Sequence, residues 1–378
     1  MIIINDAYNE AKKVLKKCVT PDGLHASGSP DGYRAVWSRD AVISLLGGSL
    51  VGNEFKGVFA RSLETLAKNQ SVNGQIPNCV GDFNVDRNSI VTFTTVDSSL
   101  WFIIGEFIYA KTYKDRKLFL KHKKSIRRAL TWIQYQDTGE DHLPEQLPTS
   151  DWQDAFPHKY GHVINTQALY YQALKILGQK KEADIVKKIV NGQARKDLNM
   201  FDKKQGFYLP WVWKNHDGDR EQEDWFDSLG NLLAIVTELA EPKQANGILN
   251  YIESKGVNEP FPIKCIFPPL GTNDPEWHSY FEKCEAREPF KYANGGIWPF
   301  IGGFYVAALV KAKRMSKARE ELGSLARANK LALKGEWAFN EWLDGVEGKP
   351  AGSIYQAWSA GMYIYAYKCV QAKKVLFF

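Results

Sequence analysis

Apolar residues recur every three to four positions over about twelve stretches of this chain, the spacing that gives a helix a buried stripe. The stretches lie near residues 4–18, 39–52, 55–69, 95–112, 115–137, 163–177, 180–194, 225–240, 242–255, 297–314, 316–330 and 354–372. Short polar connections join many of them in pairs. Alternation of period two is scarce, and FPIKCIF at 261–267 is at best a short strand. The segment 198–224 is expected to be an elaborated loop. No Gly/Ser/Pro-rich linker interrupts the pattern, so residues 1–378 are read as a single domain.

About twelve helices joined as hairpins predict an all-α fold of the (α/α)6 toroid type, a six-hairpin barrel with six inner helices around a funnel. The polar motifs support that arrangement. WSRD opens the second stretch, TVDSSLW the fourth, DWFDSLGN the eighth and NGGIWP the tenth. SDWQD precedes the sixth, and NEWLDG precedes the twelfth. The decorated stretches alternate with plain ones, as expected if every second helix brings a polar end to a common pocket.

Composition then narrows the chemistry. The chain has 378 residues, with 12 Trp, 17 Tyr and 20 Phe. Several Trp adjoin carboxylates, arginine or glycine, in VWSRD, SDWQD, EDWFD, DPEWH, GGIWP and NEWLD. Rings that stack on C–H faces beside carboxylates that accept from hydroxyls are what a sugar site needs. The net charge of +6 lies in solvated Lys/Arg runs such as 120–128, and no dense basic stripe or nucleic-acid module accompanies it. A nucleic-acid partner is therefore not expected. The five cysteines (Cys18, Cys79, Cys265, Cys284, Cys369) are scattered and never form a CxxC pair, which argues against a disulfide framework or structural zinc. The N-terminus lacks the pattern of a signal peptide, and no apolar run approaches the roughly 20 residues of a membrane span. These features predict a soluble, cytoplasmic protein that works on carbohydrate without cofactor or metal. Homo-oligomerisation is left open. The acidic loop 216–224 invites comparison with a calcium loop but lacks the later Glu in register.

Individual residues can be read in two ways. Asp154, between Trp152 and Phe156, sits where aromatic surroundings would raise a carboxyl pKa, as a general acid requires. Asp151 of the same loop can serve as a cap or as support. Glu341 in FNEWLDG is either a solvated loop acid or a site carboxylate. Arg39 and Asp40 can form an ordinary ion pair at a helix start or, with Trp37 as a wall, grip sugar hydroxyls. Asp97 is a first-turn acid favoured by the helix dipole or a member of the same gripping set, together with Gln167. The turn of YANGGIWP brings Asn294 and Trp298 within reach of a ligand. An epimerase on the same scaffold would need paired histidines in the pocket, for which His158, His162 and His278 are the candidates.

Longer stretches carry a resemblance. FDSLGNLLAIVTELAEPKQANGILNYIESK (226–255), YANGGIWP (292–299), NEWLDG with QAWSAGMYIYAY (340–345, 356–367), TTVDSSLWFIIGEFIYAK (94–111) and WQDAFPHKYGHVINTQALYYQAL (152–174) are similar to the neutral/alkaline invertases. Those enzymes are sucrose-cleaving (α/α)6 glycoside hydrolases. YRAVWSRDAVISL (33–45) and NGQIPN (73–78) resemble at least as closely the glucosidase domain of glycogen debranching enzymes, whose acid motif DWQDA also approaches. The resemblance implies that Asp154 is the general acid and Glu341 the general base of an inverting reaction at a glucosyl anomeric carbon. The chain is short for either family and mixes features of both. Sucrose or a short α-glucoside is the first expectation, and an α-1,6-glucan the second. Retention of both carboxyls argues against a sugar-binding toroid that has lost catalysis.

Overall fold

The computed structural model describes residues 2–82, 89–283 and 288–378; Cys284 lies outside them. Among the described residues thirteen α-helices run α1 (Ile2–Lys17), α2 (Ser38–Gly48), α3 (Lys56–Lys68), α4 (Asp97–Tyr113), α5 (Lys117–Lys121), α6 (Lys123–Gln134) and α7 (Ile164–Ile176), then α8 (Lys180–Val190), α9 (Ser228–Val236), α10 (Pro242–Ser254), α11 (Pro299–Lys311), α12 (Met315–Lys330) and α13 (Ala357–Ala372).

Six of them close a ring. Helix α2 packs on α4, α4 on α7, α7 on α9, α9 on α11, α11 on α13 and α13 back on α2. These are the six decorated stretches of the sequence, and their burial explains the pattern. All eleven residues of α2 are buried, as are all nine of α9, so neither helix shows a solvent face. Outer helices such as α6 and α10 bury one stripe only: Ile126, Ala129, Leu130 and Ile133 in α6, and Ala245, Ile248, Leu249 and Ile252 in α10. The fold is the expected (α/α)6 toroid.

Ring closure at α2 and α13 depends on glycine. A Cβ on Gly47 would lie 1.8 Å from the carbonyl oxygen of Gly361, and one on Gly361 would lie 2.5 Å from Cα of Ser44. Nothing larger than hydrogen fits at either place, so the two backbones meet directly.

Two expectations need correction. The stretch 115–137 is two helices, α5 and α6, broken at His122. That side chain turns inward, and its Nδ1 lies 2.7 Å from Oε1 of the fully buried Glu106 on α4. The segment 198–224 is not merely loop. It holds a two-stranded hairpin, 201–202 with 207–208, and two strands, 211–214 and 220–222, that pair with each other. The strand at 211–214 also pairs with His162–Val163 just ahead of α7. Within FPIKCIF only Ile266–Phe267 forms a strand, against Phe226–Asp227 ahead of α9. Small sheets thus tie the loops to the starts of the inner helices.

Candidate active site

A pocket opens where the N-terminal ends of inner helices converge. Trp37 stands at the N-cap of α2, with Arg39 and Asp40 in its first turn; Trp298 is the N-cap of α11; Gln356 is the N-cap of α13, with Trp358 just inside it. Each of these lines the pocket. Loops supply the other walls, namely Tyr33, Trp152 and Asp154, Tyr292 and Glu341. The cavity is about 150 Å³.

Aromatic rings shape it. Trp152 meets Trp298 edge to face at 5.4 Å and Phe300 at 5.5 Å, and Phe300 stacks on Trp358 at 4.1 Å. Trp298 donates through Nε1 to the carbonyl of Tyr292, 3.0 Å away, which fixes its plane. Interlocked edge-to-face pairs of this kind hold rings in one orientation.

The charged groups form one connected set. Arg39 is 3% exposed, and its Nη1 donates to both oxygens of Asp97 at 3.0 and 3.1 Å. Its Nη2 lies 3.8 Å from Oδ2 of Asp154. Burial alone would depress the guanidinium, but Asp97, Asp154 and Asp40 outweigh it and hold the charge in place. Asp154 is 36% accessible, but into a concave pocket whose walls restrict its hydration. That loss of hydration pushes its carboxyl up to about 6; Arg39 opposes the shift, and the negative charge of Asp151 and Asp97 adds to it.

Glu341, on the far side in sequence, has a donor at each oxygen. Tyr33 Oη donates to Oε1 at 2.8 Å, and the backbone N–H of Ser353 donates to Oε2 at 2.9 Å. Two donors aimed at two oxygens suit a carboxylate. Burial, then the charge of Glu341, raises the Tyr33 hydroxyl well above the ordinary tyrosine range, so it stays a donor.

Asp40 is 6% exposed, and burial pushes its carboxyl to about 7 despite the neighbouring Arg39. A folded pKa raised from 3.8 contributes stability that is fully present below the unfolded value and is lost as pH rises through about 7. Asp40→Asn is therefore expected to raise Tm at pH 8 and to leave it nearly unchanged at pH 4. Thermal unfolding at the two pH values checks this; an equal shift at both would show that Asp40 ionisation is not the cause.

The structure separates the sequence candidates into two groups. Trp37, Arg39, Asp40, Trp152, Asp154, Trp298 and Glu341 line the pocket. Asp97, Asp151, Gln167 and Asn294 stand behind it and hold its walls. Asp151 is fully buried; it accepts from the N–H of Gln153 at 2.8 Å and pairs with Lys159 at 2.8 Å. Gln167 donates to the carbonyl of Pro144 at 2.7 Å. Asn294 clasps Leu270 through two hydrogen bonds, 2.7 and 2.8 Å, and so pins the preceding loop. Of the six Trp motifs, EDWFD, DPEWH and NEWLD put Trp225, Trp277 and Trp342 outside the pocket lining, although NEWLD supplies Glu341 to it. Among the described residues no histidine lines it either: His162 sits 3.4 Å from Asp141, and His158 packs with His278 and Tyr280.

Tyr33, Tyr292, Gln356 and Trp358 were not singled out from sequence. Gln356 carries a readable mark. It is 1% exposed, and neither its amide nitrogen nor its oxygen has a hydrogen-bond partner among the described residues. Buried polar atoms are normally paired, and this unpaired amide belongs to a residue that lines the pocket. Its motif, QAWSAG, precedes an inner helix like the others.

Comparison with known proteins agrees with this construction. The family model described as amylo-alpha-1,6-glucosidase matches residues 23–365. The probable alkaline/neutral invertase A, chloroplastic, of Arabidopsis thaliana is 24% identical over 98% of this chain and 71% of its own length. The probable alkaline/neutral invertase D of the same plant is 34% identical over 74% of this chain and 61% of its own length. Some invertase matches are shorter, one in rice covering 37% of this chain and 22% of that protein. Among solved structures, the GH63 mannosylglycerate hydrolase of Thermus thermophilus superposes with a TM-score of 0.69 at 14% identity, over 95% of this chain and 99% of that one. Fold, pocket and relatives together define a glycoside hydrolase of the six-hairpin class. Within that class the chain belongs to the amylo-alpha-1,6-glucosidase family. Among the described residues no helix is long and apolar enough to cross a membrane.

Proposed function

We propose that this chain hydrolyses a terminal α-glucosyl bond with inversion, Asp154 acting as general acid and Glu341 as general base. The observation that carries the reading is the pairing of unlike carboxyls in one aromatic pocket. Asp154 has a carboxyl raised to about 6, whereas Glu341 faces two hydrogen-bond donors. Divergent environments of this kind separate an acid from a base. In the reaction Asp154 protonates the glycosidic oxygen as its bond to the anomeric carbon breaks. Glu341 takes a proton from water as that water attacks the opposite face. Arg39, close to Asp154 and fixed by Asp97, and Asp40 beside it bind hydroxyls of the glucosyl unit. Gln356 supplies a further donor and acceptor, and Trp298 and Trp358 form apolar walls. A cavity of this size suits one sugar ring, so the bond cut is terminal.

The substrate favoured is a short α-glucoside, sucrose first, supported by the invertase relatives that align with most of the chain. The family match favours a second reading, an α-1,6-linked glucan end. Incubation with sucrose, maltose, isomaltose, trehalose and a branched glucan, with assay of free glucose, separates them. Glucose from sucrose supports the first reading, and glucose from branched glucans alone replaces it with the second. Epimerised sugar without hydrolysis would defeat both.

The reading fixes a pH dependence. A general acid works only while protonated, so kcat/KM should fall as pH rises through about 6, the value set by the Asp154 surroundings. A pH–rate profile that stays flat from pH 5 to pH 8 would contradict the role of Asp154.

A further inference from the structure

Glu341 and Tyr33 line two cavities, not one. The first is the aromatic pocket that also holds Asp154. The second, about 580 Å³ against 150 Å³, is walled by Ser29, Asp31, Gly32, Gly352 and Ser353, with Ile354. Its lining includes neither Asp154 nor any tryptophan. Two loops build it. One, leading into Tyr33, is shaped by the bond from Gly32 N–H to the carbonyl of Ser29, 3.0 Å; the other carries the Ser353 N–H that holds Glu341. Ser353 Oγ and Ser27 Oγ, 3.2 Å apart, join the two loops.

We propose that this second pocket is the nucleophile's entrance, a site that admits water and small neutral alcohols to Glu341 from the side opposite the leaving group. The inference rests on Glu341 being the base. A sugar ring filling the small aromatic pocket leaves the second cavity, which shares Glu341 with it, as a separate approach to that carboxylate. Inversion requires the nucleophile on the face away from the leaving oxygen, and a cavity lined by the base but not by the acid Asp154 provides that approach. One water needs only about 10–15 Å³, so the cavity has room for an alcohol as well. With methanol the balance is that of hydrolysis. The methanol oxygen bonds to the anomeric carbon, its proton passes to Glu341, the glycosidic C–O bond breaks, and Asp154 delivers its proton to the leaving oxygen. The product is a methyl β-glucoside.

The test measures the ratio of methyl β-glucoside to glucose formed from an α-glucoside substrate in dilute methanol. The ratio is insensitive to overall loss of activity, because both products come from the same bound substrate. Ser29→Leu narrows the cavity without touching Glu341 and should lower the ratio about tenfold, the order of discrimination a close-fitting pocket exerts over one methyl group. Asp31→Ala widens the cavity and should hold or raise the ratio. Ratios unchanged in Ser29→Leu and lowered in Asp31→Ala would overturn the entrance, as would the absence of methyl glucoside with the wild-type protein. Wild-type-like hydrolysis by Glu341→Gln, or a methyl α-glucoside, would instead show that the assignment of the base is wrong and would remove both readings together.

Discussion

Asp154→Asn and Glu341→Gln are each expected to lower kcat by at least about 10²-fold, the low end of what positioned acids and bases supply. The two losses differ in kind. Asparagine keeps the shape of Asp154 beside Arg39 but has no proton to give, so a substrate whose leaving group needs no protonation should recover much of the rate. A nitrophenyl α-glucoside provides that comparison. The same substrate should not rescue Glu341→Gln, because water activation is still missing. Glutamine there would also present an amide where the carboxylate accepts from both Tyr33 and Ser353. The decline of kcat/KM through about pH 6 should disappear in Asp154→Asn, leaving only the step near pH 7 that Asp40 contributes. Rates within a few-fold of wild type in either variant would refute the assignment.

Lys159→Met is expected to be the most destabilising single change near the site. Lys159 is 1% exposed, and its Nζ lies 2.8 Å from Asp151 and 3.3 Å from Asp227. Asp227 in turn caps α9 by accepting from Gly230 N–H at 3.1 Å. One cation therefore holds the loop of Asp154 to the start of an inner helix. Removing it leaves two buried carboxylates facing each other, and breaking a buried pair costs about 3–5 kcal/mol. The sign with pH follows from linkage. Burial already raises the Asp227 carboxyl against the pull of Lys159, so losing the cation raises it further. The deficit is then fully present above the folded value and shrinks as a proton binds at lower pH. Urea unfolding at pH 7.5 and pH 5 should show a smaller difference from wild type at pH 5. A constant difference would mean that lost packing, rather than lost charge, is responsible.

The sequence made the ring of inner helices legible because burial leaves its mark twice. An inner helix such as α11 is apolar almost all round, and its N-terminal end carries the polar motif that reaches the pocket. Outer helices such as α6 and α8 show one stripe and a charged face. Where local pattern stops, the reading stops. Strands of two residues, as at 201–202 and 207–208, are too short to display a period. The break at His122 depends on a glutamate sixteen residues away on another helix. Within the site, residue type alone could not separate Asp154, which lines the pocket, from Asp151, which turns inward to Lys159. Both flank the same tryptophan. Tyr33 and Gln356 escaped notice because their meaning comes from partners, or the lack of them, supplied by distant parts of the chain.

The central claim is inversion by a carboxyl pair acting from opposite faces of an α-glucoside. Proton NMR during the first minutes of hydrolysis reads it directly, before mutarotation mixes the anomers. The account requires the first glucose released to be the β-anomer. Initial release of α-glucose would show that the configuration is retained, and Glu341 would then not be the base that activates water.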